Sequence, residues 1–253
     1  MNLSIRSFML ALAILGIATM AFAQDSQTPE TSADLPRVYQ SPSRFTEGRV
    51  WLGASTLNGK SDFWDDNFQH FNAGRGDLDG FIFGGDFIKH LDLHNALMLS
   101  SSLDIHTISE PSRDVLNHRG DPLEHHLELA IFALTAGYVF YPAGTQHGFV
   151  PYLGAGGGLY AGQVHTYRSS HVTDDCDEDG NCTTKYTDSK ESNFLTFGYY
   201  ALAGLQVPVA SGVSLMAEGR YTVADADLGG AFKAHGGLDL SGMQYMAGVA
   251  VHF

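Results

Sequence analysis

The densest chemistry in the sequence lies in Asp174-Asp175-Cys176-Asp177-Glu178-Asp179-Gly180-Asn181-Cys182. Asp175, Asp177, Asp179 and Gly180 reproduce the D-x-D-x-D-G opening of a calcium loop, where alternate carboxylates surround the ion and glycine permits the sharp turn. The twelfth position is Tyr186 where a bidentate Glu belongs, and Glu191 has the wrong spacing to replace it. A weak calcium site around Asp177 and a merely solvated acidic loop therefore both stay open. The flanking pair Cys176 and Cys182 is even in number and close in sequence, which in an exported protein reads as a local disulfide.

Other reactive side chains are less organised. There are 12 His. His125 and His126 are adjacent, so in a strand they point to opposite faces and cannot share an ion. His70, His90, His94, His118, His147, His165, His171, His235 and His252 are scattered, and most are expected to be solvated. No G-x-S-x-G elbow occurs, and His106 with Asp104 is the sort of pairing any long chain offers, so no catalytic residues and no enzyme are expected. The charge balance, Lys+Arg 14 against Asp+Glu 28 for a formal net of -14, excludes nucleic-acid binding, which needs clustered cations.

The elements that must carry these residues begin after a leader. Met1 to Ala23 has Arg6, then an apolar run from Phe8 to Ala18, then Ala21-Phe22-Ala23, the pattern of a secretory signal peptide cleaved after Ala23. Residues 24–45, with Pro29, Pro36 and Pro42 among Ser, Thr and Gln, read as a flexible periplasmic segment. From Thr46 to Phe253 the apolar period is two, the period of strands. Phe81, Phe83 and Phe87 share a face opposite Asp86; Leu97, Leu99, Leu103 and Ile105 alternate with Ser, Asp and His; Leu127, Leu129 and Ile131 stand opposite Glu128. Similar runs at Val50–Ser55, Phe149–Tyr167, Asn193–Val207, Val213–Val223 and Met243–Phe253 bring the count to eight strands, each long enough for a tilted membrane crossing.

The connections discriminate between a soluble sandwich and a membrane barrel. The links Asn58–Asp77, Thr107–Pro122, Arg168–Ser192 and Asp225–Asp239 are long, and those between them, Lys89–Asn95, Pro142–His147 and Pro208–Gly212, are short. Strict alternation from an even number of strands is the signature of an all-β, eight-stranded, antiparallel up-and-down transmembrane β-barrel with long extracellular loops and short periplasmic turns. A closed barrel also removes every sheet edge, as hydrocarbon demands. If Val213, Leu215, Ala217, Tyr221 and Val223 face lipid, Glu218 and Arg220 face the lumen, where Arg49, Asp86, Asp104 and Glu128 are expected to join them in a paired cluster. Among Tyr138, Tyr141, Tyr152, Tyr160, Tyr199 and Tyr245, those near strand ends are candidates for an interfacial girdle.

The leader, the run Pro151-Tyr152-Leu153-Gly154-Ala155-Gly156-Gly157-Gly158-Leu159-Tyr160, the strand Glu218-Gly219-Arg220-Tyr221 and the terminal Phe253 together resemble the small eight-stranded outer-membrane β-barrel proteins of Gram-negative bacteria, the OmpA transmembrane-domain, OmpW and OmpX types. The resemblance implies an outer-membrane location among lipid and lipopolysaccharide, and a terminal signal read by the barrel-assembly machinery at Tyr245, Val249, Val251 and Phe253. It implies no cofactor. Two roles follow as expectations: a porin-like, envelope-structural or small-solute and apolar-ligand passage role, with the Gly- and Ala-rich strands leaving a narrow lumen, or a surface module whose loops bind an extracellular ligand. In the second, Phe63, Trp64, Phe68 and Phe71 form a loop that packs on itself or at the membrane surface, or else a receptor contact.

Overall fold

The structure, a computed structural model, describes residues 46–70, 74–116, 122–145, 148–176, 182–229, 232–233 and 236–253. The leader, the 24–45 segment, Phe71, Asp177 and Asp179 lie outside the described residues.

Period-two alternation forms strands throughout: β1 (Thr46–Leu57), β2 (Asp79–His90), β3 (Asn95–Leu116), β4 (Pro122–Phe140), β5 (Val150–Cys176), β6 (Cys182–Ala210), β7 (Val213–Asp227), a short β8 (Gly237–Asp239) and β9 (Gly242–His252). Each pairs antiparallel with the next, except that β8 pairs only with β7, and β9 closes the ring between β7 and β1. The seam is sealed at its lower end, where Thr46 N donates to Phe253 O at 3.1 Å and Phe253 N donates to Thr46 O at 2.9 Å. The result is a closed eight-stranded up-and-down barrel.

Alternation sorts the faces. Leu52, Phe81, Phe83, Phe87, Leu97, Leu99, Leu153, Phe197, Leu215 and Val223 are exposed on the outside. This apolar exterior on an edgeless ring is a lipid-facing surface, and the protein is an outer-membrane β-barrel. Tyr138, Tyr199 and Tyr245 point outward with it, whereas Tyr141, Tyr152 and Tyr160 are buried inside and form no part of a girdle. Val251 and Phe253 are also outward and exposed.

The connections depart from the expected loops in two ways. Strand pairing continues through the expected loop Thr107–Pro122, reaching Leu116↔Pro122, and through Arg168–Ser192, reaching Cys176↔Cys182. Above the lipid-facing belt the strands therefore form a projecting antiparallel sheet, β3 to β6, bounded by register shifts at Pro111/Leu116 and Arg168/Ser169. On β5, the portion from Gln163 to Cys176 amounts to about 45 Å of strand at about 3.3 Å per residue. The link Asn58–Asp77 holds a helix, α1 (Asp62–His70), which the strand-period reading did not anticipate. Asp62 and Asp65 in its first turn favour the positive helix end, and Asp65 N donates to Ser61 O at 2.9 Å. The periplasmic turn before β7 is tight, with Gly212 at φ 73, a left-handed value that suits glycine.

Candidate functional site

The interior is the place where function would have to pass, and it is filled in layers. At the periplasmic end the inward residues of β1 are Glu47 and Arg49, both buried. Arg49 Nε donates to Glu47 Oε1, and Arg49 Nη1 lies 3.7 Å from Glu218 Oε2. Arg220 Nη2 lies 2.9 Å from Glu218 Oε1 and 3.8 Å from Asp86 Oδ1. Trp51 Nε1 donates to Asp86 Oδ2 at 3.1 Å, Tyr152 OH donates to Glu218 Oε2 at 3.1 Å, and Gln206 Nε2 donates to Glu47 Oε1. Both guanidinium groups lie over aromatic faces, Arg49 at 4.6 Å from Tyr152 and Arg220 at 4.9 Å from Tyr200. The lipid-side alternation thus places Arg49, Asp86, Glu218 and Arg220 in one network, with two cations and three carboxylates once Glu47 is included.

His90 Nε2 and His252 Nδ1 also approach Glu47 Oε2, at 3.2 and 3.5 Å. The expectation that the scattered histidines are mostly solvated therefore fails for His90, which is buried, and for His252, because their rings face the buried Glu47; His106 and His125, outside that set, are buried as well. Glu47, His90, Tyr200 and Gln206 were missed in the sequence. Glu47, two residues before Arg49, and His90, four after Asp86, lie on the same strand face as a residue that was chosen, so for these two the alternation itself was the signal; on β6, which carries Tyr200 and Gln206, no lumenal residue was chosen.

Asp104 sits higher and is separate. Ser55 Oγ donates to its Oδ1 at 2.5 Å, and His106 Nε2 lies 3.1 Å from the same oxygen. His106 Nδ1 lies 3.0 Å from Leu78 O. Ser55 and His106 thus share the Asp104 carboxylate. Ser55 Oγ also lies 3.4 Å from His106 Nε2, and the other ring nitrogen faces a carbonyl, so the three side chains form one buried polar knot.

Glu128 corrects the predicted cluster. Leu127, Leu129 and Ile131 are the inward residues of β4, and Glu128 lies on the outer face, accepting from Tyr167 OH at 3.1 Å with His165 Nδ1 at 3.8 Å. The lumen at this height is apolar, so alternation places the carboxylate outside, above the lipid belt.

That apolar upper lumen is closed by α1. Phe63 and Trp64 are 1% and 0% exposed, and pack with Leu57, Leu78, Ile108, Leu127, Leu129, Ile131, Val164, Phe194, Leu228, Phe232 and Leu238. Phe63 meets Trp64 and Phe232 edge-on at 5.2 and 5.6 Å. The aromatic segment thus packs on itself, Trp64 stacking on Phe68 at 6.2 Å, and does so inside the barrel mouth. Nor do the glycines leave an opening. Tyr152 fills the space a Cβ at Gly204 would take, 2.2 Å from its Cζ; Phe194 does the same at Gly162, 2.5 Å away, and Tyr200 OH at Gly137, 2.2 Å away. Small residues on one strand accept large rings from nearby strands, Tyr152 and Gly204 being register partners, as are Phe194 and Gly162.

The backbone pairs Cys176 with Cys182 at the tip of the projecting sheet, and Asp175 lies on the same strand.

No protein-family model and no curated protein matches the chain. Among solved structures it is similar to the outer membrane protein OprG from Pseudomonas aeruginosa, at 12% identity over 83% of this chain and 95% of that one, with a TM-score of 0.49. It is similar also to Neisserial surface protein A, at 14% identity over 83% and 97%, TM-score 0.42, and to Ail, the attachment invasion locus protein of Yersinia pestis, at 15% over 82% and 98%, TM-score 0.38. These are small Gram-negative outer-membrane barrels, and the likeness is one of fold.

Proposed function

We propose that this small outer-membrane barrel is a non-enzymatic membrane anchor that holds the sheet formed by β3 to β6 above the cell surface, where it meets an extracellular ligand. The observation that carries this reading is the contrast between a lumen packed from Glu47 to Trp64 and strands that continue well past the lipid belt. An eight-stranded barrel has an interior just wide enough to be filled by side chains, and this one is filled, which weighs against solute or apolar-ligand passage and leaves the interior an envelope-structural role.

The reading includes a Cys176–Cys182 disulfide that closes the sheet tip, supported by their register pairing. It includes insertion through the terminal strand, supported by the outward Tyr245, Val251 and Phe253, and contact with lipopolysaccharide around the exterior. Calcium at Asp175, Asp177 and Asp179 would act on the same tip, and a calcium-dependent change in protease cleavage there, lost in Asp177→Ala, tests it.

Two measurements test the function itself. Planar-bilayer recording of the refolded mature protein is expected to be silent, with Glu218→Ala/Arg220→Ala as the variant that loosens the lower lumen; reproducible steps in the parent protein would return the reading to transport. Replacing residues 167–191 by a two-residue turn is expected to abolish cell-surface adhesion while leaving heat-modifiable gel migration intact. Unchanged adhesion defeats the binding role.

A further inference from the structure

We infer that the segment from Asn58 to His70 is a lid hinged on β1 and latched across the barrel mouth by Asp239, so that it opens without unfolding the barrel. Its attachment is one-sided. It leaves β1 at Leu57 beside the start of β2, since Thr56 and Asp79 are register partners, and the two strands pair all the way to that point. Swinging the segment out therefore breaks no rung of the β1–β2 ladder. The departure is made by Gly59 at φ 60, a left-handed conformation that a side-chain-bearing residue would resist.

On the far side, Asn58 N donates to Ser241 O at 2.8 Å and Asn58 Nδ2 to Tyr221 OH at 3.0 Å at the hinge itself, and beyond the hinge Asp239 makes the hydrogen bonds that hold the segment. Trp64 Nε1 donates to Asp239 O at 3.0 Å, Lys60 N donates to Asp239 Oδ2 at 3.2 Å, and Asp239 N donates to Ser61 Oγ at 3.2 Å. Asp239 is itself fixed by Ser241 N, which donates to its Oδ1 at 2.8 Å. Asp239 lies on β8, a three-residue strand that pairs only with the top of β7. The latch thus stands on an appendage of the barrel rather than on its ring.

Beneath the lid the walls are Leu127, Leu129, Ile131, Val164 and Phe194, and the floor is the knot of Ser55, Asp104 and His106. Opening consequently exposes a dead-ended apolar cup and no channel, which agrees with a barrel that does not conduct. The lid extends the surface reading without depending on it, because it concerns the mouth and not the projecting sheet.

The test is hydrogen exchange by mass spectrometry on the full mature barrel in lipid nanodiscs. Amides of α1 are expected to exchange at least tenfold faster than those of β1 and β2 in the parent protein. In Asp239→Ala, which loses carboxylate bonds to Lys60 N and Ser241 N, α1 exchange is expected to rise by about a further tenfold, with β1 and β2 unchanged. Trp64→Phe keeps the ring and removes only the N–H to Asp239 O, so it serves if Asp239→Ala does not fold, with a rise of severalfold expected. Exchange of α1 at the same rate as β1 and β2, or no response to either variant, overturns the lid. Adhesion is not read in this experiment, so its failure leaves the surface role standing.

Discussion

The lower and upper lumen solve the same problem, filling an eight-stranded barrel, with different chemistry: below, an ion network is set among buried apolar residues such as Ile88, Met98, Val139 and Leu202, and above, apolar packing dominates. The lower half is built from Glu47, Arg49, Asp86, Glu218 and Arg220, all buried and linked across strands β1, β2 and β7. The upper half is built from Trp64, Leu129, Ile131, Val164, Phe194 and Leu238. A buried ion network holds by mutual compensation, and losing one member strands the rest; an apolar core holds by contact area, and losing one member leaves a hole. The difference teaches where each half is brittle. It also explains why α1 can serve as a closure above and no comparable piece exists below among the described residues: apolar surfaces separate without leaving a charge unpaired.

The largest effect should come from Arg49→Met, which removes the cation between Glu47 and Glu218. A loss of about 3–5 kcal/mol is expected, read as the urea midpoint of the unfolding transition in lipid vesicles. The companion Glu47→Gln/Arg49→Met should recover much of it, because the unpaired carboxylate is gone. If the double variant is as unstable as the single, Arg49 acts through its stacking on Tyr152 and not through charge.

Leu129→Ala in the upper half should cost about 2–4 kcal/mol, and no second substitution of opposite charge should rescue it. Part of the loss is expected as faster exchange of α1, since Leu129 is among the residues packed around Trp64. A variant that lowers the midpoint of the barrel while leaving α1 exchange untouched would argue that α1 opens independently of the wall at Leu129. Gly204→Ala should cost less, about 1–3 kcal/mol, because the Tyr152 ring beside it must move, taking its hydroxyl from Glu218. The same urea midpoint measures it.

The barrel was legible because lipid imposes a pattern. In β7, Leu215, Ala217, Tyr221 and Val223 face out and Met216, Glu218, Arg220 and Thr222 face in, as period two requires. The same rule placed Arg49, Asp86, Glu218 and Arg220 on the inner face. It misplaced Glu128 because alternation gives two faces without saying which is inside, and where the lumen turns apolar the usual polar-in assumption inverts. It lost the upper strands for a related reason. Past Thr107 and Arg168 there is lipid on neither face, so the apolar period lapses while the backbone ladder continues, and a polar strand reads as a loop. Helix α1 was hidden by its length: nine residues with Phe63, Trp64 and Phe68 inside a long connection carry too little periodicity to stand out. Whether that segment entered the lumen depended on the apolar walls opposite it, which come from β3, β4, β5 and β6 and are distant in sequence.

The smallest effect lies outside both halves, in the turn between β2 and β3, and it sharpens the comparison by supplying a charge that is neither buried nor paired with a cation. The Asp92 carboxylate accepts from the Asn95 side chain at 2.8 and 2.7 Å, from His94 N at 2.7 Å and from Asn95 N at 3.0 Å. These bonds, the Asn95 side chain foremost, hold its carboxyl below the usual carboxylate range. A carboxyl depressed in the folded state contributes stability that is present above its unfolded value and is lost as the pH falls through the folded one. Asp92→Ala should therefore be slightly less stable than the parent at neutral pH, and the two should converge in acid, below the ordinary carboxylate range. Urea midpoints of both proteins across that interval check the sign. A gap that persists unchanged in acid would mean that the alanine acts on the turn backbone, and that the carboxylate's hydrogen bonds are worth nothing to a barrel whose stability resides in its two halves.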